Sequence, residues 1–375
     1  MKVNNWQIYR FAFVYLYSQN VAFLLPRLFG MSNYYGWIAL LGGYAISGFF
    51  LLLTVKLGRL YPDKPFQEFG ARIIGKWPHK AVLTFITLYT LALIGIDVEN
   101  FIVFLHSMYM PDTPVWITIM LTVLCISLAG RSGLLTIIYM AEGIFLLQLL
   151  MTVTTVPPTI SQGNYDVLIS MVTNHDWKQI MVHSNMTVAW FTEWIVMLFL
   201  VPTYSFNRRT MRYLFFAGFT VVLLVILYWM ICLINFGPYL SAQLRYPLLE
   251  LIRYVRYGDF LDNLDPVLIA VWSTTMFIRS SFLMYVCSNC VKEIFNINKR
   301  RMLTFMIGGT VAITALQYSR DPSSYEMALR SYALYFNAII INALPLLYLL
   351  VHRIRFGRQQ PEENDTSADQ HNKTA

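Results

Sequence analysis

Ten apolar stretches of about 20 residues follow one another along this chain: 6–28, 34–56, 81–106, 114–130, 134–156, 185–203, 213–236, 266–290, 302–319 and 332–352. As helices, such runs are long enough to cross the roughly 30 Å hydrocarbon core of a bilayer. Inside that core every backbone N–H and C=O must find its partner within the protein, which leaves helices or closed barrels. Barrel strands would be about 10 residues long and alternate apolar with polar. The run Phe219-Thr220-Val221-Val222-Leu223-Leu224-Val225-Ile226-Leu227 does not alternate, so helices are expected. With 57% of its 375 residues hydrophobic and 13% charged, the chain has about half the charge of a soluble domain. That composition excludes a soluble globule, and intrinsic disorder as well. The expected organisation is one all-α polytopic membrane domain over residues 1–356, followed by a polar, disordered tail over 357–375. The run from Trp6 is too long for a signal peptide. No small-residue cleavage site follows Leu25-Pro26-Arg27, so it is read as the first span.

Charge sets the orientation. With the N-terminus placed inside and the spans alternating, twenty of the 28 Lys and Arg residues fall on the inner side and seven on the outer; Arg279 lies within a span. This bias recurs loop by loop, as the positive-inside rule requires. It argues for an even number of spans with both termini cytoplasmic. The net charge of +8 is thereby explained without a nucleic acid partner. Pro62 to Lys80 is amphipathic and too polar to cross, and reads as an interfacial cytoplasmic helix. Tyr246 to Leu264 reads similarly on the outer side.

Motifs for soluble catalysis are absent. No G-x-x-x-x-G-K-[ST], G-x-G-x-x-G or H-E-x-x-H occurs, and no nucleophile–base constellation is legible. An enzyme is therefore the least expected class, and no cofactor or metal is expected. Cys287-Ser288-Asn289-Cys290 has C-x-x-C spacing but supplies two of the four ligands that structural zinc needs. It reads as two small apolar residues on a helix.

The informative residues are charges placed where charge is expensive. Asp97 and Glu99 lie in the third apolar run, Glu142 in the fifth, Glu193 in the sixth and Arg279 in the eighth. At a helix centre in lipid each would cost roughly 2.5–3.5 kcal/mol, so they must face protein or water, pair, or be neutral. Asp97 and Glu99 are two residues apart and point to nearly opposite sides; at most one is expected to face a central cavity. Polar interruptions occur at matching places in the two halves. Ser18-Gln19-Asn20 and Pro26 break the first run, and Thr192-Glu193 and Pro202 the sixth. Such interruptions point to a transporter-type binding site in which unwound backbone offers free N–H and C=O groups to a ligand. The alternative is simple hydrogen bonding to a neighbouring helix. Ser273, Phe277 and Ser281 share a face of the eighth run, suited to a small polar ligand or to close helix packing.

Beyond these physical signals, a pattern emerges. Tyr246-Pro247-Leu-Leu-Glu-Leu-Ile-Arg-Tyr-Val-Arg-Tyr-Gly-Asp259-Phe260-Leu-Asp-Asn-Leu264, followed by Val-Leu-Ile-Ala-Val-Trp272, resembles the signature of the spore germination permeases. These are the B subunits of endospore germinant receptors, within the amino acid–polyamine–organocation transporter superfamily. Pro62-x-x-Pro65-Phe-x-Glu68 with Ile74-Gly75-Lys76 is similar too, and Thr192-Glu193 stands where that family has Gly-Glu. The resemblance covers roughly residues 5–355. Tyr35-Gly36-Trp37 departs from the family's Asp-Ala-Trp. Leu168-Ile-Ser-Met-Val-Thr-Asn-His-Asp-Trp177 lacks the family's Leu-Pro and Gly. Both departures bear on ligand identity more than on fold.

The resemblance implies a ten-helix, five-plus-five inverted-repeat transporter fold with discontinuous first and sixth helices. It implies a germinant-sensing role in the inner spore membrane, with a membrane-bound A subunit and a lipoprotein C subunit as partners. The ligand would be a small nutrient, typically an amino acid. Candidate ligand-binding residues are Ser18, Gln19, Asn20, Leu93, Asp97, Ala189, Phe191, Glu193, Ser273 and Phe277. Asp97, Glu142, Glu193 and Arg279 are the candidates for charge pairing or ion coupling. A proton- or cation-coupled amino acid transporter and an ion-release channel subunit are the alternative readings.

Overall fold

The computed structural model describes residues 3–32, 34–160, 163–173, 176–254, 265–297, 300–321, 323, 325, 327 and 332–357. The expected tail at 358–375 and the signature residues 255–264 lie outside the described residues. Among the described residues the chain is helical throughout, with no strand. Eight of its helices are long and apolar enough to cross a membrane.

The chain opens with α1, Asn5–Gln19, whose start is fixed by a capping box between Asn4 and Gln7. A wide π turn over Asn20–Leu24 joins it to α2, Leu25–Ser32. Next come α3, Gly36–Leu60, the short α4, Phe66–Ile74, and α5, Lys76–Met108. α6, Val115–Ser132, and α7, Leu134–Ile160, follow. A short α8, Val167–Thr173, leads to α9, Trp177–Phe191, capped by Asp176. A 3-10 segment then runs over Trp194–Leu200. α10, Thr210–Gln243, bends at Gly237, which takes φ +71° ahead of Pro238. Glycine adopts that angle without penalty, and the proline ends the helical ladder there. α11, Pro247–Tyr254, α12, Asp265–Phe295, α13, Arg300–Arg320, and α14, Tyr332–Phe356, complete the chain.

The eight long apolar helices are α3, α5, α6, α7, α10, α12, α13 and α14. The other two expected spans, 6–28 and 185–203, fall on the segments that are interrupted: α1 with α2, and α9 with the 3-10 turn. Length and hydropathy alone therefore return eight crossings rather than ten. α1 is buried on all sides from Phe11 to Gln19, packed against α7, α10 and α12. A helix apolar all round belongs in the centre of a bundle. α3 and α9 approach closely through small residues. A Cβ added at Gly43 would stand 2.1 Å from the Thr187 hydroxyl and 2.8 Å from the Ser184 carbonyl, the contact that small residues permit between membrane helices.

α4 lies within the stretch expected to form an interfacial helix, and its apolar face packs on protein. Phe66, Phe69 and Ile73 are fully buried, and Phe66 meets Phe199, His79 and Tyr348 edge-on. Its apolar stripe is covered by protein rather than left for lipid. α11 behaves alike, burying Leu248, Leu249, Leu251 and Ile252. Arg253 ties it to the neighbouring helix ends, donating to the Tyr109 hydroxyl at 2.8 Å and to Asp265 at 3.3 Å. Burial, together with the bond to Asp265, pushes the Tyr109 hydroxyl up to about 12. It thus remains a donor to that carboxylate at neutral pH.

Candidate functional site

The break in the sixth segment frames the site. α9 stops at Phe191, and Thr192 (φ −105°, ψ 66°) and Glu193 (φ −120°, ψ 28°) leave helical geometry. The Thr192 hydroxyl turns back onto the Val188 carbonyl, a local bond that competes with the helical ladder. Backbone groups freed in an apolar interior are costly unless satisfied. Ser47 donates to the Phe191 carbonyl at 2.8 Å, and the Asn20 amide to the Trp190 carbonyl at 3.3 Å. Asn342 of α14 bridges the break. Its Nδ2 donates to the Thr192 carbonyl and its Oδ1 accepts the Ile195 N–H at 3.1 Å. The expectation that this backbone stands free for a ligand is thus corrected for these groups: side chains of the π turn, α3 and α14 have taken them.

The first segment also departs from expectation. It is not unwound; it stays helical through the π turn. The Asn20 N–H goes to the Tyr17 carbonyl and its side-chain amide takes the Leu16 carbonyl at 2.7 Å. One asparagine therefore absorbs the change of register, as π turns inserted in α-helices allow.

Three buried charges meet beside the break. Arg279 donates to both Glu193 oxygens, at 2.7 and 2.8 Å, and through Nε to Asp97 Oδ2 at 2.9 Å. Tyr15 donates to Glu193 at 2.5 Å, Ser280 to Asp97 at 3.2 Å, and Gln19 to the other Asp97 oxygen. The guanidinium also lies over the Tyr15 ring, 4.9 Å from its centre. Asp97, Glu193 and Arg279 are 1%, 6% and 2% exposed. In such an interior, charges persist only when paired and hydrogen-bonded, and the two-pronged Arg–Glu contact is the strongest form of that pairing.

A cavity of about 110 Å³ opens onto this cluster. Gln19, Leu93, Asp97, Ala189, Glu193 and Arg279 line it, as read from the sequence. Arg27, Tyr89, Asn100, Trp190 and Tyr335 join them, and Tyr335 belongs to α14, which the sequence reading left out of the site. Asp97 and Glu99 do diverge: Glu99 turns to α13, where Ser319 donates to it at 2.7 Å.

Six candidates stand elsewhere. Ser18 gives its carbonyl to the Trp272 indole, while Asn20 and Phe191 are absorbed in the helix-break contacts above. Phe277 lies about 200° around α12 from Arg279, and Ser273 about two turns from Ser280, so neither lines the cavity. Glu142 pairs with Arg10 at 2.9 Å between α7 and α1, apart from the buried cluster. The missed Tyr15, Arg27 and Asn342 have sequence signals only in hindsight: a hydroxyl, a guanidinium and an amide set in apolar runs.

Comparison with known proteins decides the family. A family model described as spore germination protein matches residues 4–323. The chain belongs to the spore germination protein family. Within it, the chain is 26% identical to spore germination protein YndE of Bacillus subtilis (strain 168), over 85% of this chain and 87% of that one. It is 21% identical to spore germination protein XB of Bacillus anthracis, over 82% and 85%. Among solved structures, the substrate-bound outward-open state of a Na+-coupled sialic acid symporter superposes with a TM-score of 0.68 at 11% identity. That match covers 94% of this chain and 80% of the symporter. This germination-family chain is therefore a multi-pass membrane protein with a transporter-like fold.

Proposed function

We propose that this chain is the nutrient-sensing subunit of a spore germinant receptor, and that it binds a small ligand, an amino acid being the expected class, within the membrane domain. The observation that carries the reading is the cavity at the α9 break, with Asp97, Glu193 and Arg279 on its wall. Intramembrane charges facing a cavity mark ligand or ion sites. On this reading residues 1–356 form one domain of ten spans in two inverted five-helix halves. α1 with α2 would be the first span, and α9 with the 3-10 turn the sixth. The domain sits in the inner spore membrane with both termini cytoplasmic. Ligand binding shifts the balance between two arrangements of the bundle in proportion to its differential affinity for them. A membrane-bound A subunit and a lipoprotein C subunit read the shift.

The test is germination of spores lacking this chain, scored over single nutrients. Loss of the response to one nutrient, restored by the wild-type gene and not by Asp97→Asn or Ala189→Trp, is expected. Unchanged germination on every nutrient removes the reading. A cation- or proton-coupled transporter is the second reading, favoured by the symporter-like fold. Uptake of labelled amino acid into proteoliposomes, collapsed by an uncoupler, separates it from a pure sensor.

A further inference from the structure

The cavity beside Asp97 does not end blindly. A larger vestibule of about 1060 Å³ adjoins it, and Arg27, Asn100 and Tyr335 line both. Charge is separated along the path between the two chambers, and Arg27 lines both. At the inner one, Asp97 and Glu193 share the single guanidinium of Arg279, leaving one carboxylate in excess when all three are charged. The charged residues lining the vestibule are Arg27 and Arg245, with no Asp or Glu among the described residues. A ligand entering here meets positive charge first and negative charge at the end.

Arg27 stands at the junction in a form suited to receive an anion. Its guanidinium lies over the Trp190 ring, 5.2 Å from the ring centre. A guanidinium held over an aromatic ring is attracted to the ring face and leaves the N–H groups at its edge for another partner. Among the described residues no carboxylate lies within 4 Å of it. That edge is the donor fork which carboxylates engage two-pronged.

Resting on the reading of this cavity as the ligand site, we propose that its ligand is a zwitterion held by both ends. The ammonium lies toward Asp97 and Glu193, and the carboxylate is clamped by Arg27 at the mouth of the vestibule. The ligand class is thus a small amino acid with a free carboxylate; amines, amides and neutral nutrients are excluded. Arg27 is the residue that makes the distinction, and the vestibule's positive lining steers the anionic end.

The experiment uses the purified full-length chain in detergent. The twenty common amino acids, glucose and inosine are screened by thermal shift. The amino acid giving the largest shift is then compared with its carboxamide and its decarboxylated amine. At least a tenfold weaker Kd for both analogues is expected in the wild type. In Arg27→Gln the parent amino acid should fall to the affinity of the carboxamide while the carboxamide itself is unchanged; Arg27→Lys should retain part of the preference. Equal binding of amino acid and carboxamide by the wild type overturns the proposal. So does an equal loss of both in Arg27→Gln, which would mark Arg27 as merely structural. A shift with glucose or inosine alone, abolished by Ala189→Trp, overturns the zwitterion and leaves the cavity reading standing. Binding that survives Ala189→Trp, or no binding of any compound, overturns both.

Discussion

Arg279 shows how one side chain makes two buried acids tolerable. Removing it leaves Asp97 and Glu193 in a site with no other cation bonded to them among the described residues. Breaking a buried pair by deleting one partner costs about 3–5 kcal/mol. Arg279→Gln should therefore lower thermal stability in detergent strongly, and adding Asp97→Asn should recover part of the loss. Glu142 provides the contrast. Its pair with Arg10 is 23% and 37% exposed, so its loss strands no fully buried charge. Glu142→Gln should leave the unfolding temperature nearly unchanged; a loss as large as that of Arg279→Gln would show that exposure is a poor guide here. The sequence made all these charges conspicuous. It could not say which acid the arginine would meet, because Asp97 and Arg279 are brought together only by packing of α5 on α12.

The helix break is the element on which the site turns. Thr192-Glu193 was legible as an interruption because hydroxyl and carboxylate side chains sit badly in an apolar run. What happens to the freed backbone groups was not legible. The answer comes from α14, about 150 residues downstream in the chain, whose Asn342 bonds across the gap. Asn342→Leu keeps the size and removes both bonds. Each buried group left unsatisfied costs about 1–3 kcal/mol. Faster hydrogen exchange is expected at Ile195, together with a lower unfolding temperature; protection equal to wild type would show that another group satisfies the break. The first segment teaches the converse. Ser18-Gln19-Asn20 looked like a second break, yet Asn20 supplies its own compensation and the helix continues.

At the scale of the whole molecule, orientation is the open physical statement, and it rests on charge. The bias of Lys and Arg to alternate loops predicts that Lys64 lies inside and Lys178 outside. Lys64→Cys and Lys178→Cys can be made singly in a cysteine-free background. A membrane-impermeant maleimide on intact cells should label position 178, and position 64 only after permeabilisation; the reverse pattern rejects the orientation. The sequence by itself determined the solvent, the helical class, the sites of interruption and the identity of the expensive charges. Each of these follows from local composition, because a bilayer penalises every unpaired polar group wherever it occurs. Only the tertiary structure decided that Asp97, Glu193 and Arg279 close on one another and that Asn342 seals the break. It also decided that Arg27 stands where the two chambers join. Those outcomes depend on the rotation and approach of helices far apart in the chain, which close packing fixes and a linear pattern does not record.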